Sequence, residues 1–398
     1  MSDYSDVTEL LAGEGPWTFA YVDGPGAEPQ VVEEARRDSV RDRLLELGAP
    51  EDDARAVLRA MEQPTGAPSP SARYLLVRGG EVALDASFAE PRRGPERLGH
   101  GRLPEILPLV RHRSSAEQYV VVETGREGAS VRLECAERAV AEQTVEVEGR
   151  DDSLPKVQAG GWSHARYQRH SEEIWKQNQG EVAEVVDRLV REERPALVVL
   201  AGDVRARQLL RDQLAPASRG LVIEVEAHTR AAGADEQALD EAISRALTEH
   251  AHSEVQRALD RLASDGGGLG ARGVDEVVEA LQQGRVDTLL LDSKALEAGN
   301  GEARRGGDDG RGEDARSRAD TLEALDAPPW VTHGGIPAEA SSLGLIPVAE
   351  ALARAAILTG ARVRVLEEEH ASEDEPRSNR PPREPVALLR WSEDAVPA

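Results

Sequence analysis

The stretch KVQAGGWSHARYQRHSEEIWKQ, Lys156 to Gln177, combines a Gly-Gly pair, a tryptophan and a run of basic residues at helical spacing. The formal net charge of the 398-residue chain is -26, yet between Ser153 and Gly180 four Lys/Arg (Lys156, Arg166, Arg169, Lys176) face two acids (Glu172, Glu173). The sign reverses locally. Arg166 and Arg169, three apart, share a helix face with Trp162 nearby, and such a trio can hold a nucleic acid by ring stacking and phosphate pairing. Lys156, Gly160, Gly161, Trp162, Ser163, Arg166 and Arg169 are therefore the candidate RNA-binding residues. The plainer reading of the same residues is a turn, a core-covering tryptophan and a solvated helix face.

Working outward, a single helix is predicted from Ser163, as N-cap, to about Glu193, spanning roughly 46 Å at 1.5 Å per residue. Its apolar positions (Ile174, Val182, Val185, Val186, Leu189) gather in the C-terminal half, so the polar N-terminal half should project into solvent or onto a partner. Upstream, EQYVVVETGREGASVRLEC (Glu117 to Cys135) has two apolar alternating runs around TGREG, a hairpin signature. QTVEVEG (Gln143 to Gly149) adds a strand. Downstream, ALVVLAG (Ala196 to Gly202), a helix from Asp203 to Leu214 and LVIEVE (Leu221 to Glu226) form a βαβ-like unit with a buried strand.

The first hundred or so residues read as strands at Trp17 to Gly24 and Ala72 to Leu84, the latter a hairpin turning at Gly79-Gly80. Helices occupy the region between them, including one over Glu51 to Glu62. Toward the C-terminus, a helix over Asp235 to Ala263 leads into VDEVVEALQQG, a helix stopped by Gly284, and the strand RVDTLLLD. IPVAEALARAAILTG, stopped by Gly360, ARVRVLEEE and PVALLRW follow. The expected class is α/β (α+β) in three domains: residues 1–113, a mixed-sheet middle domain at 114–234 bearing the loop and long helix, and an α/β domain at 235–398. Two low-complexity segments, about 298–319 and 367–384, read as mobile insertions.

Other motifs carry less. Gly268-Leu-Gly270-Ala-Arg-Gly273 matches G-x-G-x-x-G, but a long helix precedes it where a dinucleotide site needs a strand, so it reads as a linker. HGGIP (His333 to Pro337) resembles an esterase oxyanion loop, yet no G-x-S-x-G supplies a nucleophile. The nine histidines form no H-E-x-x-H or similar ligand set, and the single Cys135 excludes an internal disulfide and cysteine-based zinc binding. No catalytic residue, metal or cofactor is assigned. The acidic balance argues against a general nucleic-acid coat, DNA included, since phosphate binding depends on Lys and Arg. MSDYSDVTEL has neither a basic start nor an apolar core, and no apolar run reaches about 20 residues, so neither a signal peptide nor a membrane span is expected. A soluble, cytoplasmic protein is the expectation.

GGWSHARYQRHSEE resembles the Gly-Gly-Gln loop of archaeal and eukaryotic class I peptide release factors, with Gly160, Gly161, Ser163, Arg166 and Arg169 matching, Tyr167 in place of Phe and Trp162 in place of Gln. YVVVETGREGASVRL is similar to the hairpin opening their middle domain, and VDEVVEALQQGRVDTLLLD to a helix and strand of their third. The resemblance covers about Gln118 to Asp292. It is nearest to bacterial members of the superfamily, among them the Balon-like ribosome hibernation factors, with a branch of peptidyl-tRNA hydrolases. It implies a release-factor-like fold, a ribosome partner (rRNA, the A site and P-site tRNA), and the GTPase that carries aminoacyl-tRNA as an escort. No lysine precedes Lys156, so the Asn-Ile-Lys-Ser stop-codon motif is absent from this sequence. Trp162 removes the amide that orients water, which implies inhibition of idle ribosomes rather than peptide release; peptidyl-tRNA hydrolysis in ribosome rescue is the alternative.

Overall fold

The computed structural model describes residues 4–225 apart from 14, 27–28, 68, 115–117, 126, 136–142 and 150–160; most of 239–260; and 269–293, 321–366 and 384–391. For residues 5 and 161–171 the backbone alone is described. The predicted insertions fall outside it, all of 298–319 and all of 367–384 except Glu384. The architecture is mixed α/β. Two compact units result: Met1–Ser115 with His252–Ala398, and Ala116–Ala251.

In the first unit, β1 (Trp17–Asp23), β2 (Ala72–Arg78), β3 (Glu81–Phe88) and β4 (Arg97–Gly101) form an antiparallel sheet in the order β3-β2-β1-β4. The hairpin turns where predicted. Gly79 and Gly80 have φ of +62° and +78°, positions that cost a glycine little and other residues more. β1 is buried on both faces. Ala20 and Val22 pack with Val40, Leu44, Val57 and Met61 of helices α2 (Gln30–Glu46) and α3 (Glu51–Glu62). Trp17, Phe19 and Tyr21 point the other way, into a core shared with residues of α1 (Ser5–Ala12), α4 (Leu107–Arg113) and the C-terminal segment.

The middle unit carries a five-stranded mixed sheet. β5 (Gln118–Gly125), β6 (Gly128–Cys135) and β7 (Gln143–Glu148) form an antiparallel meander, and β5 pairs in parallel with β8 (Leu197–Gly202), which pairs in parallel with β9 (Val222–Glu224). β8 is buried at all six positions, as a strand covered on both faces must be. Val120, Val122, Val131 and Leu200 face α5 (Gly161–Glu193) and α6 (Val204–Gln213), followed by α7 (Pro216–Arg219). Tyr119, Val121 and Val199 face the opposite way, toward Leu239 and Ile243. The predicted helix over Asp235 to Ala263 lies partly outside the described residues; 241–247 are helical.

The C-terminal segment completes the first unit with β10 (Gly270–Arg272), α8 (Gly273–Gln282), β11 (Val286–Asp292), β12 (Thr321–Leu325), β13 (Val331–Thr332), β14 (Ser342–Pro347), α9 (Val348–Leu358), β15 (Arg362–Leu366) and β16 (Val386–Leu389). They build one sheet ordered β10-β16-β11-β15 and a small one ordered β13-β12-β14. The linker read at Gly268–Gly273 is corrected: Gly270–Arg272 is an edge strand, antiparallel to β16. The strand takes in the motif's second glycine and runs up to the third. A phosphate loop cannot form there, because it needs those residues free between strand and helix.

α9 ties the two ends of the chain together. Glu350 accepts from the Ile106 and Leu107 amides (2.9 and 3.1 Å), placing a carboxyl at the N-terminus of α4. One turn on, Arg354 donates to the Leu11 carbonyl in the last turn of α1 (3.0 Å) and to Leu325 (3.0 Å). The Glu350 carboxyl gives acceptors to amides at the start of α4, and a base at the C-terminus of α1 complements that helix's dipole.

Candidate nucleic-acid interface

α5 is anchored by its C-terminal half. Val182, Ala183, Val186 and Leu189 are buried at helical spacing, and among the described side chains the last fully buried pair toward the N-terminus is Asn178 and Gln179. Gln179 accepts from the Thr124 hydroxyl (2.8 Å) and donates to the Gly125 carbonyl (2.9 Å), which fixes the helix to the end of β5. Asn178 lies against Gly149, and a Cβ at Gly149 would collide with its amide. The Gly149 amide in turn donates to the Glu127 carbonyl (2.7 Å). Gly149 is thus pinned between Glu127 and Asn178. Two buried, satisfied amides hold the base of the loop.

α6 braces the next turns. Asp203 caps it, accepting from the Arg205 and Ala206 amides (2.9 and 3.1 Å). Gln213 donates to the Lys176 carbonyl (2.8 Å), and Arg205 pairs with Glu172 (2.9 Å). Between 172 and 177, Ile174 and Trp175 are half-buried while Glu172, Glu173, Lys176 and Gln177 are exposed.

Of the predicted site residues, Lys156 and Gly160 lie outside the described residues. Gly161, Trp162, Ser163, Arg166 and Arg169 lie in the first turns of α5, where the backbone alone is described. α5 runs Gly161–Glu193, so Ser163 sits inside the first turn rather than at the cap. That start puts Trp162, Arg166 and Arg169 on one helical stripe, at i, i+4 and i+7. Stepping back seven residues at a time leads from exposed Lys176 to Arg169 and Trp162, and from exposed Glu173 to Arg166. Trp162 lies 16 residues before Asn178, roughly 24 Å along the axis.

Sequence reasoning missed Asn178, Gln179, Thr124 and Gly149. The one legible signal was a pair of amides interrupting the stripe of Ile174, Val182 and Val186. At HGGIP, His333 Nε2 lies 3.0 Å from Asp275, and the Gly334 amide donates to Thr332 (3.1 Å). Among the described residues no group of three or more His, Cys, Asp or Glu is placed to hold a metal, and no helix is long and apolar enough to cross a membrane.

Comparison with known proteins bears on the family of the middle unit. Residues 118–268 match the family model for bacterial archaeo-eukaryotic release factor family 2. An uncharacterized protein of Mycobacterium tuberculosis is 27% identical over 291 residues, covering 71% of this chain and 76% of that one. A protein pelota homolog of Metallosphaera sedula is 32% identical over 128 residues, 31% of this chain and 37% of that one. Among solved structures, an archaeal translation termination factor, aRF1, aligns with 98% of this chain and 99% of its own at 14% identity and a TM-score of 0.26. Archaeoglobus fulgidus Pelota aligns with 81% and 80% at 15% identity and a TM-score of 0.34. Over residues 118–268, from β5 past the end of the middle unit, the chain is homologous to bacterial archaeo-eukaryotic release-factor proteins.

Proposed function

We propose that this protein is a ribosome-binding translation factor that occupies the A site, directs its GGW segment at the peptidyl-transferase centre, and inhibits idle ribosomes as a hibernation factor. The observation that carries the reading is the substitution itself. Within a span matching a release-factor family, the loop keeps Gly160, Gly161, Ser163, Arg166 and Arg169 and puts Trp162 where the related loops hold glutamine. An indole stacks on any unpaired base but cannot orient water as an amide does. On the stripe of α5, Trp162 would stack on rRNA or the P-site tRNA end while Arg166 and Arg169 hold phosphates. Lys156, Gly160 and Gly161 would shape the approach. An elongation-factor GTPase that carries aminoacyl-tRNA is the escort this reading allows.

Sedimentation of the full chain with 70S particles tests it. Wild type should pellet, and Trp162→Ala should weaken binding by about 5- to 150-fold, the equivalent of about 1–3 kcal/mol of stacking. A chain that stays in the supernatant at every salt concentration ends the proposal. One feature favours a second reading, peptidyl-tRNA hydrolysis: the backbone N–H at position 162 survives the substitution, and backbone donors can stabilise an oxyanion. Peptide release from loaded ribosomes, lost on Gly160→Ala/Gly161→Ala, would replace the inhibitor with that enzyme.

A further inference from the structure

A buried chain of hydrogen bonds in the first unit ends at a nitrogen that the fold does not use. Asp53, in the first turn of α3, is 1% exposed, and its carboxylate accepts from the Gly80 amide of the β2–β3 turn (2.6 Å) and from the Thr18 hydroxyl (2.8 Å). Thr18 is fully buried on β1, and its oxygen lies 2.9 Å from Nδ1 of His100, the residue opposite it on the edge strand β4. A hydroxyl has one proton to give. Asp53 takes it, so Nδ1 carries the hydrogen that reaches Thr18, and Nε2 of the neutral ring keeps its lone pair. The ring is half-buried, and Nε2 makes no hydrogen bond among the described residues.

The stitch between turn, helix and strands is complete without Nε2, since an asparagine would supply the same donor to Thr18. Holding one ring nitrogen through a carboxylate-backed chain is how proteins aim the other nitrogen at a ligand. Two neighbours point the same way. Gly99 is required by packing, because a Cβ there would collide with the Phe19 ring, but a Cβ at Gly101 would meet nothing closer than the Leu103 carbonyl, 3.9 Å away. A strand glycine that packing does not demand leaves room for another molecule's close approach. Arg102 donates to the Ser342 carbonyl (3.1 Å) and meets no carboxylate among the described residues. The acids that precede Asp53 on α3, Glu51 and Asp52, already pair with Arg55 (3.7 and 2.9 Å). A bare acceptor takes a hydroxyl, and a guanidinium without a counter-charge takes a phosphate; RNA offers both on one backbone, and DNA lacks the hydroxyl.

We propose that His100 and Arg102 form an RNA contact in the first unit, Nε2 accepting from a ribose 2′-hydroxyl and the guanidinium pairing with a phosphate. This rests on the ribosome-binding reading. The test joins sedimentation with 70S particles across a salt series, repeated on protein-free ribosomal RNA, to footprinting with diethyl pyrocarbonate, which modifies a bare imidazole nitrogen. Particles and naked RNA should each protect His100 of the wild type. His100→Asn keeps the donor to Thr18 and removes the outward acceptor, so binding should weaken about 2- to 10-fold with no change in the slope of log K against log salt. His100→Gln keeps an outward acceptor and should bind more tightly than His100→Asn. Arg102→Ala should flatten the slope by about 0.7–0.9, one phosphate contact. Full modification of His100 on pelleted particles, or wild-type binding by His100→Asn, overturns the contact and leaves the ribosome-binding reading standing. Protection by particles but not by naked RNA assigns the nitrogen to a ribosomal protein and overturns it too. Failure of wild type to pellet removes both proposals. Thermal melts of His100→Asn and Arg102→Ala should match wild type; should His100→Asn melt early, the wild-type footprint decides.

Discussion

α9 and α5 both carry polar groups into a core, and they do so with opposite chemistry. α9 uses titratable groups: Glu350 and Arg354 are each 3% exposed and between them engage two amides and three carbonyls, those of Leu11, Leu325 and Trp330. α5 uses neutral amides, Asn178 and Gln179, both fully buried. Arg354 complements the dipole of α1, while burial distorts the titration of both groups. Burial and the neighbouring Glu105 push the Glu350 carboxyl up to about 8, and burial lowers Arg354 to about 10. Amides do not titrate. The unit that joins the chain's two ends is therefore sensitive to pH at this contact, while the mount of the GGW helix is not.

The sharpest way to break this contrast is Arg354→Met. It leaves three carbonyls without their cationic donor, and each buried acceptor left unsatisfied costs about 1–3 kcal/mol. Hydrogen exchange should accelerate in α1, β12 and α9 and stay unchanged in β5, β8 and α5. Acceleration in both units would mean that they do not fold separately.

Gln179→Leu is the counterpart in the middle unit. The Thr124 hydroxyl loses its acceptor and the Gly125 carbonyl its donor, a cost of about 2–3 kcal/mol for two buried polar groups. The loss should appear as faster exchange in β5 and the adjoining turns of α5, equally at pH 5 and pH 8. A pH-dependent loss would show that a titrating group supports the mount.

The pH profile of the first unit comes next. Glu350 keeps its proton in the folded state up to about 8 against 4.5 when free, so its contribution is lost as pH rises between those values. His112 opposes it. Burial first, then the positive charges of Arg93 and Arg111, lower it from 6.5 to about 3; it sits stacked on Phe88 and 2.8 Å from the Tyr21 hydroxyl. Stability from a neutral buried histidine is lost as pH falls below 6.5. Between 4.5 and 6.5 the two slopes cancel, so stability should be level there and decline on either side. Above 6.5 the fall should reach about 2 kcal/mol by pH 8, at 1.36 kcal/mol per unit. In Glu350→Gln that alkaline arm should vanish, and an unchanged arm would acquit Glu350.

What the sequence revealed, and what it hid, follows from the range of the interactions. Helix α3 and the hairpins β2–β3 and β5–β6 were readable because period and turn residues lie within about ten positions. β10, β12 and β13 were not, being two to five residues long, with β10 finding its partner β16 more than a hundred residues away. The contact of Glu350 with Ile106 spans 244 positions, so neither residue looks unusual in its own neighbourhood. At the candidate interface, the pairing of Arg166 with Arg169 was legible from spacing. That Trp162 joins their stripe depends on where the helix starts, and one or two residues at a helix end are beyond what local sequence determines.

That start can itself be tested, with the smallest expected effect. If α5 begins at Gly161, Ser163 occupies the first turn and not the cap, and Ser163→Ala should change stability by less than about 0.5 kcal/mol. A serine N-cap would instead lose about 1 kcal/mol on the same substitution, because a helix amide loses its acceptor. The distinction reaches function. With Ser163 as cap, Trp162 would precede the helix and its direction would follow a flexible Gly-Gly pair. With the helix starting at Gly161, Trp162 takes its direction from α5, and α5 takes its own from Asn178 and Gln179. A loss near 1 kcal/mol in Ser163→Ala would cut that link and return the tryptophan to the loop.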